Sequence, residues 1–180
     1  MYGKGKQLMI KTLILYTLLK KDYTMYSIRK HIETVYSMYI RPSFGAIKPA
    51  LVSLEKNEFI KSGKLMSEGG KLSVYYSVTQ KGREKLKNLL VEDMSNNPSQ
   101  FFLSARLRLI MSDVLSFEER KRLFLIIKSK ALKFKNSAQE FKNQENSFYH
   151  SIIADNTICE YSNLLTAIES LEKDNDRIRQ

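Results

Sequence analysis

The side chains in this sequence best equipped for chemistry are cations and hydrogen-bond donors, not nucleophiles. Ser43, Phe44, Ala46 and Lys48 fall within one short stretch, Pro42-Ser43-Phe44-Gly45-Ala46-Ile47-Lys48-Pro49-Ala50-Leu51, with Leu54 three residues on. Ile47, Leu51 and Leu54 are spaced i, i+4, i+7, which puts them on one helix face and turns Ser43, Phe44, Ala46, Lys48 and Ser53 elsewhere. A lysine so placed can approach guanine O6 or N7 in a DNA major groove, and a serine at a helix start can cap the helix or offer its hydroxyl to a phosphate. Lys64 and Lys71 flank a polar turn, where a long cationic side chain finds phosphate more readily than a fixed base edge. Tyr75 and Tyr76 alternate across an extended stretch, so one points inward and only the other can face a partner.

Bond-making chemistry finds little to work with. His31 and His150 lie far apart, Cys159 is the single cysteine, and no His, Cys or carboxylate cluster has metal-ligand spacing. Gly3-Lys4-Gly5 completes no phosphate-binding fingerprint. The residues therefore imply no enzyme, no cofactor and no metal site.

The elements that must hold these side chains follow from periodicity. An apolar run over residues 8–19, interrupted by Lys11, is too short to span a membrane and reads as a core helix. Its apolar residues go all the way round, which calls for a second covering layer from the carboxy-terminal helices or another subunit. Thr24 can cap a second helix over about residues 25–35, and Pro42-Ser43 restarts the chain into a third over about 44–56. The pattern then alternates: residues 60–66 and 72–78 read as strands joined by Ser67-Glu68-Gly69-Gly70. Thr79 caps a fourth helix over about 81–94, and Ser95-Asn96-Asn97-Pro98-Ser99 makes a polar break at which a domain boundary is expected. Three helical stretches follow, over 101–115, 117 to about 143, and 148–171. The middle one starts with a capping box, Ser116 and Glu119, and carries a heptad of Phe117, Phe124, Ala131 and Ala138 beside Ile127, Phe134 and Phe141, broken by Arg120.

Charge sorts the same way. The chain of 180 residues has a formal net charge of +11, and residues 1–95 hold 17 basic against 8 acidic side chains. Residues 106–142 carry 10 basic and 4 acidic groups, whereas 143–180 carry 3 and 7, so two long neighbouring helices of opposite sign can pair. The fold class expected is mainly α with a small β-hairpin: a winged helix-turn-helix domain over 1–95, then a helical dimerisation and effector-response region over 96–180. Double-stranded DNA is the expected partner and the cytoplasm the expected location, since no export signal or membrane span is present.

The stretch Pro42 to Leu51 resembles the recognition-helix signature of the PadR family of bacterial transcriptional regulators. Tyr75-Tyr76-Ser77-Val78-Thr79-Gln80-Lys81-Gly82 resembles that family's second wing strand running into its fourth helix, and Thr24-Met25-Tyr26-Ser27-Ile28 is a weaker third match. The resemblance implies a sequence-specific DNA-binding regulator, a repressor, acting as a homodimer on an inverted-repeat operator and released by a small effector near the dimer interface. On this reading Ser43, Phe44, Ala46, Lys48, Lys64, Lys71 and Tyr75 touch DNA. Two departures stand out. Lys48 replaces the family's common tyrosine, and Glu58 occupies its usual glycine position, leaving Asn57 to end the helix in a left-handed conformation. They motivate the alternative reading, a protein-interaction or scaffold dimer whose winged helix binds DNA non-specifically or not at all.

Overall fold

The computed structural model describes residues 2–66, 70, 72–144 and 147–178, with residues 2–4, 6 and 178 by backbone alone. Its chain divides into two compact units, Met1–Met111 and Ser112–Gln180.

In the first unit, α1 (Tyr2–Leu18) is the central helix, with Ile10, Leu13, Ile14, Leu15 and Leu18 almost wholly buried. Much of its cover comes from the same unit: α2 (Met25–Val35), α3 (Phe44–Lys56) and α4 (Gln80–Val91) all pack on it, and so does the strand over Leu72–Val78. Lys11, the interruption in the apolar run, sends its ammonium to the Ser53 hydroxyl of α3 at 2.7 Å. An amphipathic stem packed on the core with its polar end satisfied explains how a lysine fits in this helix.

The wing strands are β2 (Ile60–Met66) and β3 (Leu72–Val78), paired antiparallel from Ile60 opposite Val78 to Met66 opposite Leu72. A third strand joins them. Tyr23 and Thr24 form β1, which pairs with β3 through Tyr23 opposite Tyr76 and Thr24 opposite Tyr75, giving the order β1-β3-β2. Thr24, which reads as a cap in sequence, thus also binds the start of α2 to the sheet. Thr24 does both jobs, since its hydroxyl accepts the Ser27 backbone N–H at 3.2 Å. The turn Ser67-Glu68-Gly69 and Lys71 lie outside the described residues.

The polar break at 95–99 is a corner inside the first unit. Asn97 caps α5 (Pro98–Ile110) by accepting the Gln100 N–H at 3.0 Å, and Pro98 takes the first turn, where its missing donor costs nothing. Arg108 of α5 reaches back to the carbonyl oxygens of Leu90, at 3.1 Å, and Glu92, at the end of α4. A cation at that end meets the negative pole of the α4 dipole and ties the two helices together.

The second unit opens with a 3-10 turn, Ser112–Val114, and contains α6 (Phe117–Gln144) and α7 (Phe148–Ile178). The capping box forms: the Ser116 N–H donates to Glu119 at 2.7 Å and the Glu119 N–H to the Ser116 hydroxyl at 3.3 Å. The two long helices run antiparallel. Their opposite charge is realised in ion pairs Lys128–Glu172 at 3.1 Å and Lys142–Asp155 at 2.6 Å, with Phe134 stacked on Tyr161 between them. Phe124, Ile127 and Ala131 of the heptad are buried, while Phe141 at its far end is half exposed.

Candidate nucleic-acid interface

The sequence-derived core face of α3 is observed: Ile47, Leu51 and Leu54 are buried, and Ala50 joins them. The opposite side is an outward stripe, Gly45, Lys48, Pro49, Val52 and Lys56, spaced i, i+3, i+4, i+7, i+11 and exposed at every position. It offers one long cation near the helix start, one apolar side chain that is 59% exposed at Val52, and two residues small or donor-free enough for close backbone approach. Pro49 cannot donate to the Gly45 carbonyl, so that oxygen is released from the helical ladder on the exposed side.

Ser43 is the N-cap residue of α3, with φ −80° and ψ 162°, yet its hydroxyl makes no capping bond. Its carbonyl instead accepts the Ala46 and Ile47 N–H groups at 3.0 and 3.1 Å, leaving the exposed hydroxyl at the positive end of the helix dipole. Phe44 is 42% exposed, and its ring stacks on Tyr26 at 6.2 Å with the Arg29 guanidinium 4.6 Å from its centroid. Arg29 is itself held by Glu33 at 2.9 Å. Phe44 therefore clamps the start of α3 to α2. Ala46 is half-buried on the flank, and Lys48 is exposed with no ion-pair partner among the described residues.

On the wing, strand register decides which residues share a face. Lys64 lies with Ser62 and Tyr76, whereas Tyr75 lies with Lys61 and Gly63. Tyr76 belongs to the side facing the end of α3: burial first, then the nearby Glu55 carboxylate, pushes its phenol up from the usual tyrosine range, and Glu55 also accepts the Ser62 hydroxyl. Tyr75 is on the reverse face, half-buried. Lys64 and Tyr75, both expected at DNA from the sequence, therefore point to opposite faces of one hairpin. Lys71 lies outside the described residues. Of the α4 lysines, Lys81 is engaged by Glu58 at 2.9 Å and Lys85 by Glu92 at 3.3 Å.

The helix end that aims the wing differs from the sequence expectation. Asn57 stays at φ −92° and Glu58 takes the left-handed conformation, at φ 60°. Three bonds compensate for a side chain in that region. Phe59 N–H bonds the Leu54 carbonyl at 3.0 Å, the Thr79 hydroxyl donates to the Glu58 carbonyl at 2.7 Å, and Lys81 holds the Glu58 carboxyl, keeping it below its usual range. The sequence reading also missed Val52, although the complement of the i, i+4, i+7 core face contains it. Among the described residues no helix is long and apolar enough to cross a membrane, and no His, Cys, Asp or Glu cluster could hold a metal ion.

The model of the transcriptional regulator PadR-like family matches residues 14–88, from the middle of α1 to the last turns of α4. Through those residues the chain belongs to the PadR-like family. Its members are transcriptional regulators, not enzymes. No curated protein matches the chain. Among solved structures, a transcriptional regulator from Clostridium thermocellum is 31% identical over 43% of this chain and 75% of its own, with a TM-score of 0.40. Bacillus subtilis PadR in complex with operator DNA is 19% identical over 90% of this chain and 97% of its own, with a TM-score of 0.45. The same protein with p-coumaric acid gives 19%, 94%, 97% and 0.41. The family match spans α2, α3, the wing strands and most of α4, the elements of a winged helix-turn-helix.

Proposed function

We propose that this PadR-like chain is a sequence-specific DNA-binding repressor that works in the cytoplasm as a homodimer on an inverted-repeat operator. The carrying observation is the outward stripe of α3, presented by a domain of a transcriptional-regulator family with its basic excess in the same part of the chain. Lys48 reads guanine, Val52 meets a thymine methyl, and the Ser43 hydroxyl with the first-turn N–H groups seats a phosphate. Phe44 positions the helix, Lys64 and Lys71 bind phosphate, and Tyr75, on the face away from α3, is the wing tyrosine that approaches DNA. The head is residues 1–95 extended by α5, and within the carboxy-terminal region over 96–180 dimerisation belongs to α6 and α7. There Phe148, Tyr149, Ile152 and Ile153 are more than half exposed on α7 and offer a second copy an apolar surface. Two heads related by a twofold axis meet half-sites about one duplex turn apart, and repression follows from occupancy of the promoter.

Selection of bound fragments from genomic DNA, followed by footprinting, tests the reading. Protection of a discrete inverted repeat by a dimer is the expected result. Salt-sensitive binding with no preferred sequence would overturn it in favour of a scaffold role.

A further inference from the structure

The far end of the wing ladder is apolar on both faces. Met66 lies opposite Leu72 in the last pair of β2 and β3, and the two are 71% and 58% exposed. Val74 on the same face and Leu65 on the other are exposed as well. The base of the hairpin behaves differently: Ile60, opposite Val78 and on the face of Met66, is buried. Only the part that projects beyond the core leaves its aliphatic side chains in water, and a contiguous exposed group of this kind marks a contact surface.

The surrounding chemistry says what that surface meets. Neither β2 nor β3 contains an acidic residue, while Lys61 and Lys64 are exposed with no ion-pair partner among the described residues. Gly63, opposite Tyr75, is a glycine the packing does not require: a Cβ there would meet nothing within 4 Å, and an open strand backbone lets a partner come close. The strand also continues from the end of α3, whose outward stripe finishes at the exposed Lys56. Cations around projecting aliphatic side chains, next to a helix that faces a major groove, fit a duplex with stacked bases behind its phosphates. A two-stranded ribbon is accommodated by a major groove about 12 Å wide, but the neighbouring minor groove, about 6 Å wide, admits it only if the duplex deforms.

We propose that the far end of the wing is an apolar wedge: Met66 and Leu72 enter a minor-groove base step beside each half-site, part the stacked bases and bend the operator, while Lys64 and Tyr75 on opposite faces meet the two bordering strands. The inference rests on the DNA-binding reading and adds to it a source of specificity that needs no hydrogen bond to a base. Flexible pyrimidine–purine steps at the wedge position are then favoured over stiff ones.

The test is ring closure of a linear duplex of about 100 bp, shorter than the ~150-bp persistence length of DNA and therefore slow to join its ends unless bent. The duplex carries the operator selected by the chain, and each protein is added at saturation, so that affinity does not decide the rate. The full chain should speed closure about tenfold or more. Met66→Thr with Leu72→Thr keeps strand-forming residues at exposed positions and removes the reach, so this double variant should bind, show unchanged circular dichroism, and close rings at the rate of free duplex. Met66→Phe, a wedge of another shape, should retain most of the acceleration, and Lys64→Ala should need more protein to reach the same plateau. Full acceleration by the double variant, or a full chain that binds the operator and leaves closure unchanged, overturns the wedge and leaves the regulator reading standing. A double variant that sediments as a monomer where the full chain is a dimer also overturns it, assigning the apolar end to a contact between copies. If no sequence is preferred, the regulator reading falls, and the same assay on a duplex of arbitrary sequence still judges the wedge; a chain that binds no duplex sinks both.

Discussion

Gly82→Ala is a one-methyl change whose cost can be worked out from the geometry at the α4 start. A Cβ built at residue 82 would lie 1.9 Å from the Phe59 carbonyl oxygen and 2.9 Å from both the Phe59 carbonyl carbon and a Val78 methyl. The obstruction is backbone, so no rotamer relieves it; α4 or the start of β2 must move. The Phe59 carbonyl already accepts the Thr79 N–H at 3.0 Å, and the Thr79 hydroxyl accepts the Gly82 N–H at 3.0 Å. Breaking the first costs about 1 kcal/mol. Losing the cap costs about 1 kcal/mol more. Displacing Leu86, Leu89 and Leu90 from a packed interior adds about 1–3 kcal/mol, while alanine's better helix propensity returns about 1 kcal/mol. The expected loss is about 2–4 kcal/mol, read from urea unfolding followed by circular dichroism at one fixed protein concentration. Gly45→Ala is the internal control. Its Cβ would meet nothing nearer than the Ser43 hydroxyl at 3.8 Å, so it should stabilise by about 0.5–1 kcal/mol while weakening DNA binding from the exposed stripe. A Gly82→Ala protein within about 0.5 kcal/mol of the parent would refute the close-approach argument.

Three further outcomes follow from the same geometry. Glu58→Gly should raise the urea midpoint, because glycine adopts the left-handed conformation without strain and the lost Lys81 pair is exposed at the surface; a lower midpoint would mean the ion pair outweighs the strain. Lys48→Ala should cost about 1–3 kcal/mol on the selected operator and much less on scrambled duplex, whereas Lys64→Ala should weaken both and reduce the salt slope by about one unit per contact. Salt titrations of both variants on both duplexes decide this, and the reverse pattern would exchange reader and clamp. Burial, then Lys20 and Lys21, hold the His31 imidazole below the ordinary histidine range, so near its ordinary value the unfolded chain binds the proton more readily than the folded one. Stability from this group is therefore complete above the unfolded pKa and declines as pH falls through it, levelling off below the folded value. His31→Gln should flatten that part of the profile between pH 7.5 and pH 5, and an unchanged slope would assign it elsewhere.

Local signals carried most of the head. The i, i+4, i+7 face of Ile47, Leu51 and Leu54, the caps at Thr24 and Thr79, and the strands over 60–66 and 72–78 are each short-range patterns, and each is found in the structure. What escaped depends on contacts distant in sequence. Two residues suffice for β1 because β3 supplies their partners, and a two-residue strand has no period to detect. The break at 95–99 has the composition of a linker, but only Arg108, reaching residues 90 and 92, shows that the chain turns a corner there. The left-handed residue falls on Glu58 despite the amino-acid preference for Asn57, because Thr79 and Lys81, about twenty residues on at the start of α4, bond the Glu58 carbonyl and carboxylate. Phe44 reads as exposed from helical spacing, and its tie to Tyr26 and Arg29 is a contact between α2 and α3 that no spacing within α3 encodes.

The attachment of α5 to the head bears on how such proteins trade parts. A gene fusion that grafts this head onto a foreign tail, in a laboratory or by recombination, has a natural joint between Met111 and Ser112. A crossover at the polar stretch near residue 95 looks safer in sequence, yet it delivers a head whose Leu90 and Glu92 carbonyls have lost the guanidinium that bonds them. It also removes Leu103 and Met111, which line one cavity with Leu8 and Met9 of α1. Such a chimera would carry its recognition helix intact and arrive without the helix that holds the end of α4, so the portable piece is one helix longer than the family match alone suggests.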